Sequence, residues 1–206
     1  MVEVDVAALD ADEAYKLLVG AVVPRPIAWV STLNAAGRVN LAPFSCFTFV
    51  SNDPPLLAIS VGQRLGGLKD TPRNIESRGE FVVHIAHESQ VGPLHESSEE
   101  HPPEVSETDL LGLATVPSRQ VSVPRLVDAP VAMECRHAQT LEFGRLRTRL
   151  VLGEVLCFHV AEDLWTGARI DAERFRPLAR LGGPRYARLG EVMTLRPVEV
   201  SPRTRA

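Results

Sequence analysis

Leu150-Val151-Leu152-Gly153-Glu154-Val155-Leu156-Cys157-Phe158-His159-Val160 is the longest strand-like run in the chain. Period-two geometry puts Val151, Gly153, Val155, Cys157 and His159 on one side, and Leu150, Leu152, Glu154, Leu156, Phe158 and Val160 on the other. Apolar groups occupy both faces, so neither reads as a clean solvent surface. A strand of this kind can set one face in a barrel core and the other against a helix or a second subunit.

Working outward, residues 119–126 and 131–136 also read as extended, separated by Asp128-Ala129-Pro130. Toward the amino terminus, Pro24-Arg25-Pro26 forces an extended lead into an apolar strand at 27–32. Turn chemistry at 34–37 returns 39–42 beside it as a hairpin. Residues 56–61 are a buried-strand candidate behind Pro54-Pro55, where no undisturbed central ladder can run, and 81–85 begin another strand. Asp12 is the expected cap of a short helix through Tyr15, Leu17 and Leu18, and Thr71 opens a second helix that Gly79 closes. The polar stretch 88–103, with Ser97-Ser98-Glu99-Glu100, reads as a helical or irregular surface excursion whose acidity is solvated. These elements predict a mainly β protein, a closed or nearly closed antiparallel barrel with short peripheral helices. No internal repeat or linker interrupts 1–206, so a single domain is expected, with a Pro-rich tail that need not be ordered.

A chain of 206 residues can remove roughly 70% of its unfolded surface from water on folding. Its formal net charge of −4 comes from 22 basic and 26 acidic residues without a long run of either sign. That argues against a nucleic-acid partner while leaving room for a local basic patch that takes a small anion. Cys46, Cys135 and Cys157 are too widely spaced for a disulfide framework or a close zinc pair, and read as reduced, mostly buried thiols. No basic segment leads into an apolar run and no apolar stretch reaches spanning length, so a cytoplasmic protein without a membrane partner is expected. His84, His87, His95, His101 and His137 show no ligand spacing, and no metal site is expected.

Two segments carry chemistry. Gly66-Gly67-Leu68-Lys69-Asp70-Thr71-Pro72-Arg73-Asn74 combines backbone freedom, cations, a hydroxyl and a helix start. With Thr71 as N-cap and Pro72 as first helical residue, unpaired amides and the Thr71 hydroxyl would face one place, a seat for a phosphate completed by Lys69 and Arg73. An ordinary strand-to-helix cap with solvated basic side chains is the competing reading. In Asn40-Leu41-Ala42-Pro43-Phe44-Ser45-Cys46-Phe47, Asn40 and Ser45 can meet the heteroatoms of a planar ligand and small Ala42 allows close approach, whereas Phe44 and Phe47 either cover that ligand or pack in the core.

Together with Val23-Pro24-Arg25-Pro26-Ile27-Ala28-Trp29, Glu80-Phe81-Val82-Val83, Gly153-Glu154-Val155 with His159, and Arg180-Leu181-Gly182-Gly183-Pro184-Arg185-Tyr186, these segments resemble the flavin reductase-like family of FMN-binding split-barrel proteins. The resemblance runs from about residue 15 to 197. It implies an antiparallel Greek-key split barrel, a homodimer with FMN between subunits, and flavin reduction by NADH or NADPH, in some members feeding a separate flavin-dependent monooxygenase. FMN rather than FAD follows from the resemblance alone. The resemblance further implies cofactor contacts from Asn40, Ala42, Pro43, Phe44, Ser45 and Cys46 on the ring side, and from Lys69, Thr71 and Asn74 on the phosphate side. Arg25 adds charge or braces the surface. Asp70 orients its loop or pairs with a cation, and Trp29 packs in the core or the dimer. Arg180, Gly183 and Tyr186 form a late loop near the site, and His159 positions the reductant or serves as a satisfied strand histidine. Two alternatives share the same cofactor: an FMN-dependent oxidoreductase of a small organic substrate, and a flavin-binding electron-transfer module.

Overall fold

The apolar runs pair into one seven-stranded antiparallel sheet. In chain order its strands are β1 (Ala28–Leu33), β2 (Val39–Phe44), β3 (Phe47–Asn52), β4 (Pro55–Val61), β5 (Glu80–Ile85), β6 (Val131–Phe143) and β7 (Thr148–Val160), and their spatial order is β2-β1-β5-β6-β7-β4-β3. The computed structural model describes residues 1–64 and 67–197. The succession β5-β6-β7-β4 is a Greek-key order, since the chain leaves β4, builds three further strands and brings the last of them back beside β4. The edge strands β2 and β3 are consecutive, joined by Ser45-Cys46, yet no ladder links them among the described residues. The sheet is therefore split there rather than closed. The reason is local: Pro43 offers no N–H, and the Leu41 N–H turns off the sheet to the Glu107 carboxylate at 2.8 Å.

Five α-helices accompany the sheet among the described residues: α1 (Ala11–Ala21), α2 (Asp70–Arg78), α3 (Val91–Glu96) and the short α4 (Glu107–Leu110) and α5 (Ala172–Phe175). The cap of α1 is Asp10 rather than Asp12. Its carboxylate accepts the Glu13 N–H at 2.8 Å while Glu13 accepts the Asp10 N–H at 3.0 Å, a reciprocal capping box. No residue of α1 is buried. Gly79 closes α2 as expected, at φ +74° and with its N–H on the Ile75 carbonyl. Strand β3, unforeseen in the sequence, leaves Phe49 and Val50 exposed.

Of the extended stretch expected at 119–126, only Arg125–Leu126 pairs, with Thr115–Val116. The preceding amides have other acceptors: Arg119 and Gln120 donate to Glu134, and Ser122 to Glu80. This strap covers one face of β5 and β6, packing Val121 and Val123 on Val82 and Ala132. On the opposite face, Val30, Phe44, Ile59, Phe81, Val83, Val151 and Val155 gather around Ile75 of α2. Trp29 is fully buried in a third cluster with Leu41, Leu94 and Leu178, its indole N–H donating to Ser97 Oγ at 2.9 Å. Beside it, buried His84 meets the Trp29 carbonyl through Nδ1 (2.9 Å) and accepts the Leu126 N–H at Nε2 (3.0 Å). Desolvation holds its pKa down at about 4, so the ring is neutral.

Strand β7 departs from uniform alternation. Val155 stands opposite Cys135 but Cys157 stands opposite Glu134, which leaves Leu156 as a bulged residue. Val151 and Val155 consequently face the central core, whereas Cys157 and His159 turn to the face of Glu134 and Ala132, against the single-face expectation. Gly153 marks a close approach: a Cβ there would lie 2.2 Å from Cζ of fully buried Phe81.

Candidate functional site

The expected phosphate segment opens α2, but one turn differs. The N-cap is Lys69, without a side-chain cap bond, and Thr71 already lies inside the helix. The Thr71 hydroxyl is therefore not a cap: it donates to Asn40 Oδ1 at 3.0 Å. With no side chain closing the helix, the amides of Asp70 and Thr71 have no acceptor among the described residues and can face an anion. Asp70 pairs with a cation as anticipated, meeting Arg73 at 2.6 Å and Arg64 at 3.5 Å. Lys69 has no polar partner among the described residues. Gly66 lies outside the described residues.

Asn40, Thr71 and Asn74 do converge, but on one another. Asn40 Nδ2 donates to both carboxylate oxygens of Glu107 (3.0 and 3.1 Å), its Oδ1 accepts from Thr71 and Thr32, and Asn74 Nδ2 donates to Thr32 Oγ1 at 3.0 Å. These side chains are thus consumed by a buried network that joins α2, α4, β1 and β2. The Asn40 amide is already taken by Glu107. A cavity of about 290 Å³ opens beside the network, lined by Asn40, Asp70, Arg73, Asn74, Ser77 and Glu107 among others. A larger cavity of about 440 Å³, lined by His87, Ser89, Gln90, Leu113, Leu126 and Asp128 among others, touches none of the expected site residues.

On the ring side, Phe44 and Ala42 pack into the central core, so a ligand would meet their backbone rather than their side chains. Ser45 is half-buried and Cys46 exposed at the split, and Pro43 lies on the free edge strand. Arg25 is a buried clamp, not a free charge. Its guanidinium donates to the carbonyls of Val19 and Val22 (2.7 Å each) at the end of α1 and of Leu181 (2.8 Å), with Nε toward Ser45 Oγ at 3.5 Å. The late loop is a tight hairpin in which Gly183 takes φ +62°. Arg180 donates to the Tyr186 hydroxyl and lies 4.6 Å from the ring centroid, and His95 Nδ1 contacts that hydroxyl at 3.0 Å. Burial pushes the Tyr186 phenol above its ordinary pKa, against the opposing pull of Arg180. His95 joined no pattern in the sequence, since α3 and the late loop meet only in space.

His159 stands apart from these groups. It pairs Ala132, which leads through His84 and Trp29 to Pro43, four strand spacings or about 19 Å along the sheet. Its Nε2 meets Glu134 Oε1 at 2.5 Å. Glu134 is fully buried; that alone would raise its pKa, but the amides of Arg119 and Gln120 and the imidazole outweigh burial and hold the carboxyl below its ordinary value.

The donor set suits a phosphorylated planar ligand: an uncapped helix start with Lys69 beside it, and a free strand edge ending in Ser45-Cys46. A family model described as flavin reductase like domain matches residues 19–178. An uncharacterised protein of Halalkalibacterium halodurans is 43% identical over 192 residues, spanning 91% of this chain and 92% of its own. Among solved structures, nitrilotriacetate monooxygenase component B from Bacillus cereus is 39% identical with a TM-score of 0.91, the match covering 95% of this chain and 98% of that one. The 2-nitrobenzoate 2-nitroreductase NbaA of Pseudomonas fluorescens is 33% identical with a TM-score of 0.88, covering 98% and 99%.

Proposed function

Because the chain belongs to the flavin reductase-like family, we propose that it binds FMN and catalyses reduction of flavin by NADH or NADPH. The observation that carries this reading is the uncapped start of α2 beside Lys69, set within a match to the family over 19–178. Bound FMN supplies the two-electron chemistry. In this chain, Lys69 and the amides of Asp70 and Thr71 hold the phosphate. Arg64 and Arg73 offset Asp70, which otherwise would repel it. The Asn40–Glu107 network fixes the height of α2 against β2, and so the span between phosphate seat and ring edge. Arg25 holds Ser45 and the late loop in one frame, so that Tyr186 and Arg180 border the ring segment.

We assign the competent unit as a homodimer. The support is an α1 without a buried residue that exposes Tyr15, Leu17 and Leu18, together with exposed Phe49 and Phe158. A second subunit also accounts for the separation of His159 from Pro43: a neighbour's His159, with Nε2 engaged by Glu134, would orient the reductant through Nδ1. The likeness to a monooxygenase component supports delivery of reduced flavin to a separate monooxygenase.

The comparable likeness to a nitroreductase favours a second reading, in which the chain keeps FMN and reduces a small organic acceptor. Anaerobic rapid mixing of the protein with NADH or NADPH and excess FMN decides between them. Flavin reduction beyond one equivalent per subunit is expected. Bleaching limited to one equivalent, with turnover restored by a nitroaromatic acid, would favour the second reading, and no bleaching with either nicotinamide would refute both.

A further inference from the structure

The bulge at Leu156 brings together three side chains that the sequence scatters. Cys157 and His159, two residues apart on β7, face the same way, and Glu134 is the residue paired opposite Cys157. Their ligand atoms, Sγ, an imidazole nitrogen and a carboxylate oxygen, all lie within 4.8 Å of one another. We propose that Glu134, Cys157 and His159 form a binding site for one borderline divalent cation, zinc foremost, which would replace the His159–Glu134 contact.

The chemistry of the donor set is the first support. Thiolate, imidazole and carboxylate on a tetrahedral zinc ion bind at about 2.0–2.3 Å, which puts ligand atoms about 3.2–3.6 Å apart. The present spacing is compatible with that range after small shifts, with His159 Nε2 2.5 Å from Glu134 Oε1 and every ligand-atom separation within 4.8 Å. Binding asks the imidazole to withdraw from the carboxylate by under about 1 Å, and it leaves the fourth position to water.

The surroundings of Glu134 are the second. Its carboxylate is fully buried and takes the Arg119 N–H at 2.8 Å on Oε1 and the Gln120 N–H at 2.5 Å on Oε2. Each oxygen keeps a further lone pair, so the two amides can stay in place and orient the carboxylate while Oε1 exchanges the imidazole for the cation. Half-buried Cys157 and His159 provide the path from solvent. Cys135, adjacent to Glu134, is excluded as the sulfur ligand: it is fully buried in the central core on the other face, and desolvation keeps its thiol protonated. On binding, the Cys157 thiol releases one proton to solvent, Glu134 enters already ionised and His159 ligates as the neutral ring.

Cobalt(II) titration of the full-length protein, followed by difference absorbance, tests the proposal. One equivalent is expected to raise a thiolate-to-cobalt band in the near ultraviolet and visible bands of tetrahedral intensity, both displaced by zinc. Cys157→Ser should abolish the thiolate band, and His159→Gln should weaken cobalt binding by more than the roughly 100-fold that outer partners reach. Circular dichroism would verify that each variant is folded. Absence of a saturable band, or a thiolate band that persists in folded Cys157→Ser, overturns the assignment.

Discussion

Replacing Glu134 by Gln tests how the 119–124 strap is held to the sheet. The carboxylate accepts three hydrogen bonds, from Arg119 N–H, Gln120 N–H and His159. Gln keeps one acceptor oxygen and places an NH2 group where the other stood, so one backbone N–H faces a donor in a site with no solvent exposure. An orphaned buried donor costs about 1–3 kcal/mol, and each remaining bond falls from about 1.5–3 kcal/mol for a charged acceptor to about 1 for a neutral one. The sum is about 4 kcal/mol, a large share of the roughly 5–15 kcal/mol that holds a domain together. With a urea m-value of about 2–3 kcal/mol/M, the unfolding midpoint should drop by about 1.5 M. The pH dependence gives an independent reading. The folded carboxyl titrates below its ordinary 4.5, so its contribution is complete above that pH and is lost as pH falls through the folded value. Urea titrations of both proteins, followed by far-ultraviolet circular dichroism from neutral pH into acid, should therefore converge at the acid end. A midpoint shift under about 0.3 M, or a stability difference independent of pH, would refute this account of Glu134.

Gly153→Ala should cost at least about 3 kcal/mol through overpacking against Phe81, and Phe81→Leu should recover part of that loss; thermal melts of the single and double variants would show it. His84, neutral when folded with a pKa of about 4 against 6.5 when free, contributes fully above pH 6.5 and loses about 3 kcal/mol as pH falls to 4. Denaturant titrations across that window should show the decline in the parent and not in a folded His84→Gln variant. Lys69→Ala should weaken FMN by about ten- to a hundredfold and riboflavin far less, as measured by flavin titration; equal losses would remove Lys69 from the phosphate seat.

Strands 27–32, 81–85 and 150–160 were legible because their apolar periodicity is local, and the closing Gly79 because its role needs only its own backbone. Asp70 pairing with a cation and Trp29 in the core were legible for the same reason. What escaped depends on partners remote in sequence. Glu107 lies 67 residues from Asn40, and only their meeting reveals that the Asn40 amide is already used. The strap at 119–124 looked extended but spends its amides on Glu134 and Glu80, which no strand pattern announces. A single bulged residue reversed the expected face of Cys157 and His159, since period-two reasoning assumes an unbroken ladder. Strand β3 was missed because half its face is apolar and exposed, which reads as ligand cover or loop rather than as an edge.

Arg25 also sets an order of events during synthesis. Its bond to the Leu181 carbonyl closes 156 residues of chain, and the same guanidinium caps α1. The first helix therefore cannot reach its final anchorage until the late loop has left the ribosome, although its sequence is made first. Long-range closure of this kind is entropically slow. Through most of translation Tyr15, Leu17 and Leu18 remain on a helix without its last fastening.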